Sequence, residues 1–85
     1  MQQFTYTVTD PIGLHARPAG LLVQAAKVLD STITLTCRGK SAPAKGLMAL
    51  MTMGIRQGDV VTVTIEGGDE SASQDAMERF FQENL

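Results

Sequence analysis

The chain carries a single histidine, His15, within the string Gly13-Leu14-His15-Ala16-Arg17-Pro18-Ala19. An imidazole and a guanidinium therefore lie two residues apart where a loop gives way to a helix. Gly13 lets the backbone turn sharply. From Ala16 onward the residues suit a helix, and Pro18 falls in its first turn, where a missing N–H costs nothing. The first-turn amides of such a helix have no internal partners and carry a partial positive charge. A phosphate beside His15 would meet the amides of Ala16 and Arg17, the helix dipole and the Arg17 side chain together. A histidine in that setting can carry a phosphoryl group covalently. The nucleophile must be a neutral imidazole, and a helix N-terminus disfavours the imidazolium. After transfer, the amides and Arg17 would stabilise the phosphoryl oxygens. The competing reading is that His15 only caps the helix or serves as a partly buried polar residue.

Other phosphate and nucleophile scaffolds fit poorly. No Walker pattern is present, and no glycine-rich dinucleotide fingerprint follows a strand. One histidine and one cysteine supply no metal-ligand cluster, so neither a metal nor a cofactor is expected. No serine-hydrolase signature occurs. A Cys–His pair would need Cys37 beside His15. Strand alternation points Cys37 into the core instead, where it acts as a small apolar residue.

The 85 residues suit one domain, 1–85, with a small core and no intrachain disulfide. No signal peptide is visible at the N-terminus, and the longest apolar stretch, Leu47 to Ile55, is too short to span a bilayer. A cytoplasmic protein without membrane insertion is expected. Residues 1–58 hold six cations against two acids, and residues 59–85 hold one cation against seven acids. This split reads either as ordinary solvated charge or as a basic face around His15 that steers an acidic partner. The net charge of −2 and the absence of an aromatic-basic cluster argue against nucleic acid as that partner.

The elements that must hold the site follow from periodicity. Phe4, Tyr6 and Val8 alternate with threonines up to Asp10-Pro11, predicting a first strand. A helix is predicted from about Ala16 to Leu29, with Ala19, Leu22, Val23 and Ala26 facing the core. Ile33, Leu35 and Cys37 alternate with threonines, and Gly39 turns the chain into a short strand near Lys40–Ala42. A short helix follows over about Leu47–Thr52, then a strand over Asp59–Glu66. A last helix is expected from about Asp69 to Glu83, capped by Asp69 and buried through Ala72, Ala76, Met77 and Phe80. Threonine on one side of three strands implies a sheet covered on one face only. The order β-α-β-β-α-β-α suggests that the last strand inserts between the first two, giving an α+β, two-layer, open-faced sandwich with an antiparallel sheet.

The string around His15 resembles the active-site signature of HPr, the histidine-containing phosphocarrier family of the bacterial sugar phosphotransferase system. The similarity continues through Gly39-Lys40-Ser41, Ala44-Lys45, the Leu47–Ile55 stretch and Gln57-Gly58-Asp59, covering essentially the whole chain. The resemblance implies a four-stranded antiparallel sheet under three helices. It implies that His15 accepts a phosphoryl group on Nδ1 from phosphorylated Enzyme I, delivers it to an Enzyme IIA, and is not itself a turnover enzyme. It matches Arg17 to the family's phosphate-assisting arginine. Many members from Gram-positive bacteria carry a regulatory serine after the lysine equivalent to Lys45. This chain has Gly46, which offers no hydroxyl to a kinase. An adaptor of the same fold, binding transcriptional or metabolic proteins, is the alternative function, and a nitrogen-related branch of the system is a further one.

Partner contact is expected at one patch. Leu47-Met48-Ala49-Leu50-Met51 is almost wholly apolar, yet a short surface helix buries only one stripe, with Leu50 inward. Leu47, Met48 and Met51 either tuck into the core or form an exposed patch near His15, completed by Gly20 and ringed by Lys27 and Lys45. Methionine suits a surface that must accept unrelated partners. A monomer is expected.

Overall fold

Alternating threonine and apolar residues build a single sheet. The computed structural model describes Met1–Leu85. In chain order the elements are β1 (Gln2–Thr7), α1 (Ala16–Lys27), β2 (Thr32–Cys37), β3 (Lys40–Pro43), α2 (Leu47–Thr52), β4 (Val60–Glu66) and α3 (Glu70–Asn84). The strands lie in the order β1-β4-β2-β3, and every neighbouring pair is antiparallel. β4 therefore does insert between β1 and β2.

One face of the sheet carries Ile33, Leu35, Cys37, Ala42, Val61, Val63 and Ile65, all buried. These residues join Leu22, Ala26, Leu50, Met77 and Phe81 from the three helices in one apolar cluster. The other face is threonine. In register, Thr5 pairs with Thr62 and Thr62 with Thr36, while Thr64 pairs with Thr34. Burial on a single face gives the open-faced, two-layer architecture its threonine signature.

Two expectations need correction. The buried residues of α3 are Ser73, Met77 and Phe81, whereas Ala72 is exposed and Ala76 and Phe80 are only partly covered. The helix is turned by one residue because Phe81 is gripped edge-on by Phe4 and Tyr6, with ring centroids 6.0 and 5.5 Å away. At its other end Ser73 is drawn inward by Ser31, whose Oγ lies 2.7 Å from Ser73 Oγ. Secondly, α1 stops at Lys27 rather than Leu29, with Val28 as its C-cap and the Leu29 amide folding back to the Ala26 carbonyl at 3.1 Å. Asp69 does cap α3, accepting the Ala72 amide at 3.1 Å.

Candidate functional site

His15 occupies the N-cap of α1 in an extended conformation (φ −99°, ψ −170°). Its carbonyl accepts the first helical bond, from the Ala19 amide at 2.9 Å. Its side chain makes no capping bond and is half-exposed. The imidazole is thus at a helix start without being used to cap it. The amides of Ala16 and Arg17 lie ahead of that first helical bond, and Pro18 contributes no N–H at all. The cradle at this helix end therefore consists of two amides rather than three. Arg17 is exposed, and neither ion pair in the protein involves it.

The loop before His15 is held from three sides. The Asp10 side chain accepts the Ile12 amide at 2.8 Å, and the Asp10 carbonyl accepts the Gly13 amide at 3.1 Å. Gly13 then adopts φ +78°, a left-handed conformation natural to glycine. A side chain there would collide with the Ile55 carbonyl oxygen and lie 2.8 Å from Arg56 Cα. The Leu14 amide bonds to that same Ile55 carbonyl at 3.1 Å, and the Leu14 side chain is buried. The loop is bolted to the segment before β4 one residue ahead of the imidazole.

Cys37 lies in the core cluster, and burial pushes its thiol above the ordinary range. Both observations oppose a nucleophilic role for it.

The structure places Gly20 half-exposed on α1, with open space above its Cα. Lys27 is exposed on the same face of α1 as Ala16 and Gly20, but in the last turn. It stands about 16 Å along the helix from Ala16, so it rims the far end of the face rather than adjoining the imidazole. Lys45 is exposed just before α2. Within α2, Leu50 is fully buried, while Met48 is 72% exposed, Met51 42% and Leu47 40%. The three side chains do not tuck into the core. α1 packs against α2, so their outer surfaces adjoin. Five further exposed apolar residues, Met1, Ile12, Leu21, Val28 and Val60, were not singled out by sequence; of these Leu21 lies on α1 and Ile12 in the loop before His15. Leu21 was legible, because it lies four residues after Arg17 on the same side of the helix, outside the buried stripe of Leu22 and Ala26. Ile12 sits in a loop, where no periodicity marks it.

Gly46 is the N-cap of α2, with φ −100°. A Cβ at this position would lie 3.0 Å from Pro43 Cγ, so a serine would fit only with a small shift of that ring. No helix is long and apolar enough to cross a membrane.

The open-faced sandwich thus presents a half-exposed imidazole at the start of α1, free of any capping bond. Comparison with known proteins gives the family. The family model described as PTS HPr component phosphorylation site matches residues 2–83. The chain belongs to the HPr family of the phosphotransferase system. It is 36% identical to an HPr of Thermoanaerobacter tengcongensis, covering 96% of this chain and 92% of that one with a TM-score of 0.90. It is 34% identical to the phosphocarrier HPr of Bacillus anthracis, covering 95% and 96% with a TM-score of 0.88. It is also 35% identical to Crh, a Bacillus subtilis protein of catabolite repression, covering 100% and 98% with a TM-score of 0.77; that structure is described as a swapped, intertwined dimer.

Proposed function

We propose that this HPr-family protein carries a phosphoryl group on His15, taking it from phosphorylated Enzyme I and passing it to an Enzyme IIA. The observation that carries the reading is the half-exposed imidazole at the N-cap of α1, which makes no capping bond and stands beside the open amides of Ala16 and Arg17. On acceptance, the Nδ1 lone pair forms the bond to phosphorus while the bond to the donor atom breaks and its electron pair leaves with the donor. Nε2 keeps its proton throughout. Delivery reverses the step. The two amides and the Arg17 guanidinium receive the phosphoryl oxygens. Pro18 limits this cradle, which suits a carrier that must release what it holds.

The direct test is incubation with phosphoenolpyruvate and Enzyme I, followed by mass spectrometry for an acid-labile adduct. One phosphoryl group per chain is expected, located on His15. A protein that stays unmodified beside a labelled HPr control would overturn the reading.

Arg17→Ala should slow transfer with both partners by roughly ten- to a hundredfold, because a charge-assisted hydrogen bond is worth about 1.5–3 kcal/mol. Its side chain is exposed, so thermal stability should barely move. Unchanged rapid-quench kinetics with both partners would remove Arg17 from the mechanism.

Docking falls to the surface shared by α1 and α2: Gly20, Leu47, Met48 and Met51, with Lys27 and Lys45 at the rim. An apolar centre supplies contact area and the flanking cations speed encounter with an acidic partner. Met48→Asp should weaken Kd for Enzyme I and for Enzyme IIA alike, with little change in Tm given its exposure. Unaltered affinity for both partners would move docking elsewhere.

The similarity to Crh keeps a regulatory adaptor as the second reading. The presence of His15 with Arg17 favours the carrier. A monomer in the cytoplasm, where phosphoenolpyruvate is available, completes the proposal. Sedimentation analysis distinguishes the monomer from a swapped dimer of the Crh kind.

A further inference from the structure

Away from His15, one polar cluster joins segments distant in sequence. Arg38 stands in the two-residue turn between β2 and β3, at φ +51°, followed by Gly39 at φ +77°. Two left-handed residues give the hairpin turn whose twist matches its strands. From this turn the guanidinium reaches three acceptors. Nη1 donates to Asp59 Oδ2. Nη2 donates to the carbonyls of Met53 and Gly54, each at 2.9 Å. Those two carbonyls follow the end of α2, where helix geometry leaves acceptors unpaired. Asp59 Oδ2 also accepts the Arg56 amide at 2.8 Å. The Arg56 amide and the Arg38 guanidinium hold the Asp59 carboxyl below its usual range, so the cluster stays ionised at neutral pH.

The segment from Met53 to Asp59 is thus gripped at both ends by one side chain. Within it, next to Gly54, Ile55 is the residue whose carbonyl receives the Leu14 amide and against whose backbone Gly13 packs. We propose that Arg38 is a positioning residue for phosphoryl transfer: by clamping Met53, Gly54 and Asp59 it fixes the Ile55 carbonyl, which holds Leu14 and so aims His15. This rests on His15 being the phosphoryl acceptor. A planar fork meeting a carboxylate and two carbonyls at once is a task for arginine; a lysine ammonium keeps the charge but loses the fork. Small misplacements of a reacting group cost large factors in rate.

Arg38→Asn separates the clamp from the turn, because asparagine tolerates the left-handed conformation while removing the guanidinium. Two readouts are taken: hydrogen exchange at the Leu14 amide, with Val63 in the centre of β4 as the reference, and the steady-state kinetics of phosphoryl acceptance from Enzyme I. The expected result is roughly tenfold faster exchange at Leu14 with Val63 unchanged. Alongside it, kcat should fall by roughly tenfold while KM stays near its original value, since Arg38 bonds to none of the docking residues Gly20, Lys27, Lys45, Leu47, Met48 and Met51. Arg38→Lys should recover only part of both. Unchanged Leu14 exchange, unchanged kcat, or a loss confined to KM would overturn the proposal. If Arg38→Asn does not fold, Asp59→Asn opens the same clamp from its other side and is held to the same criteria. An unaltered protein that takes no phosphoryl group would overturn the reading of His15 and this proposal with it, whereas a labelled protein indifferent to Arg38 overturns this proposal alone.

Discussion

His15→Ala is expected to abolish all phosphoryl labelling while leaving a folded protein. His15 is the only imidazole in the chain, so no second histidine can take over. The only thiol, Cys37, is buried and held in its protonated form. The fold does not depend on the side chain: its backbone carbonyl, not its ring, makes the bond to Ala19. Alanine is a poor N-cap, but His15 makes no side-chain capping bond to lose, so a change in stability well under about 1 kcal/mol is expected. Phosphoenolpyruvate-dependent labelling measured beside thermal melts checks both halves. Residual acid-labile label in the variant would show a second acceptor and overturn the assignment.

The second large effect is expected at a residue that touches no phosphate. Gly13→Ala meets two obstacles together. Its φ of +78° lies where a Cβ is strained, and the added carbon would strike the Ile55 carbonyl and crowd Arg56 Cα. Both obstructing atoms belong to the backbone, which cannot rotate away as a long side chain can. Left-handed strain and overpacking together point to a loss of about 2–5 kcal/mol. That is a large share of the stability of a domain this small. The alternative for the chain is to move the loop, which breaks the bond from Leu14 to Ile55 and carries His15 out of register. Chemical denaturation and transfer kinetics should therefore both respond, one by a lower midpoint and the other by a lower rate. A variant with parental stability and parental kinetics would show that the close approach is not needed.

These expectations draw on different parts of the molecule. The face of α1 was readable from residue spacing, since Ala19, Leu22, Val23 and Ala26 repeat at helical intervals and all four are buried. The same reasoning placed Met77 of α3 correctly but set the rest of its stripe one residue off. Ala72, Ala76 and Phe80 repeat as regularly as Ser73, Met77 and Phe81, and periodicity has no means of choosing between adjacent stripes. The choice was made by the aromatic side chains of β1 and by the hydroxyl of Ser31, partners more than forty residues away in sequence. The inserted position of β4 was legible, because the element order permits few untangled sheets and insertion between β1 and β2 is one of them.

At the site the division is similar. The sequence by itself determined that an imidazole stands at a helix start with an arginine two residues on, and that one face of the sheet must stay wet. Those properties are local or periodic, and they follow from the backbone rules that each residue obeys with its near neighbours. Only the tertiary structure decided that Leu47, Met48 and Met51 stay exposed and that Gly13 closes against Ile55. It alone brought Arg38 to Asp59, Met53 and Gly54. Each of these depends on packing between segments that meet only when the helices settle on the sheet, where burial and chain connectivity select one arrangement from several that local preferences would allow.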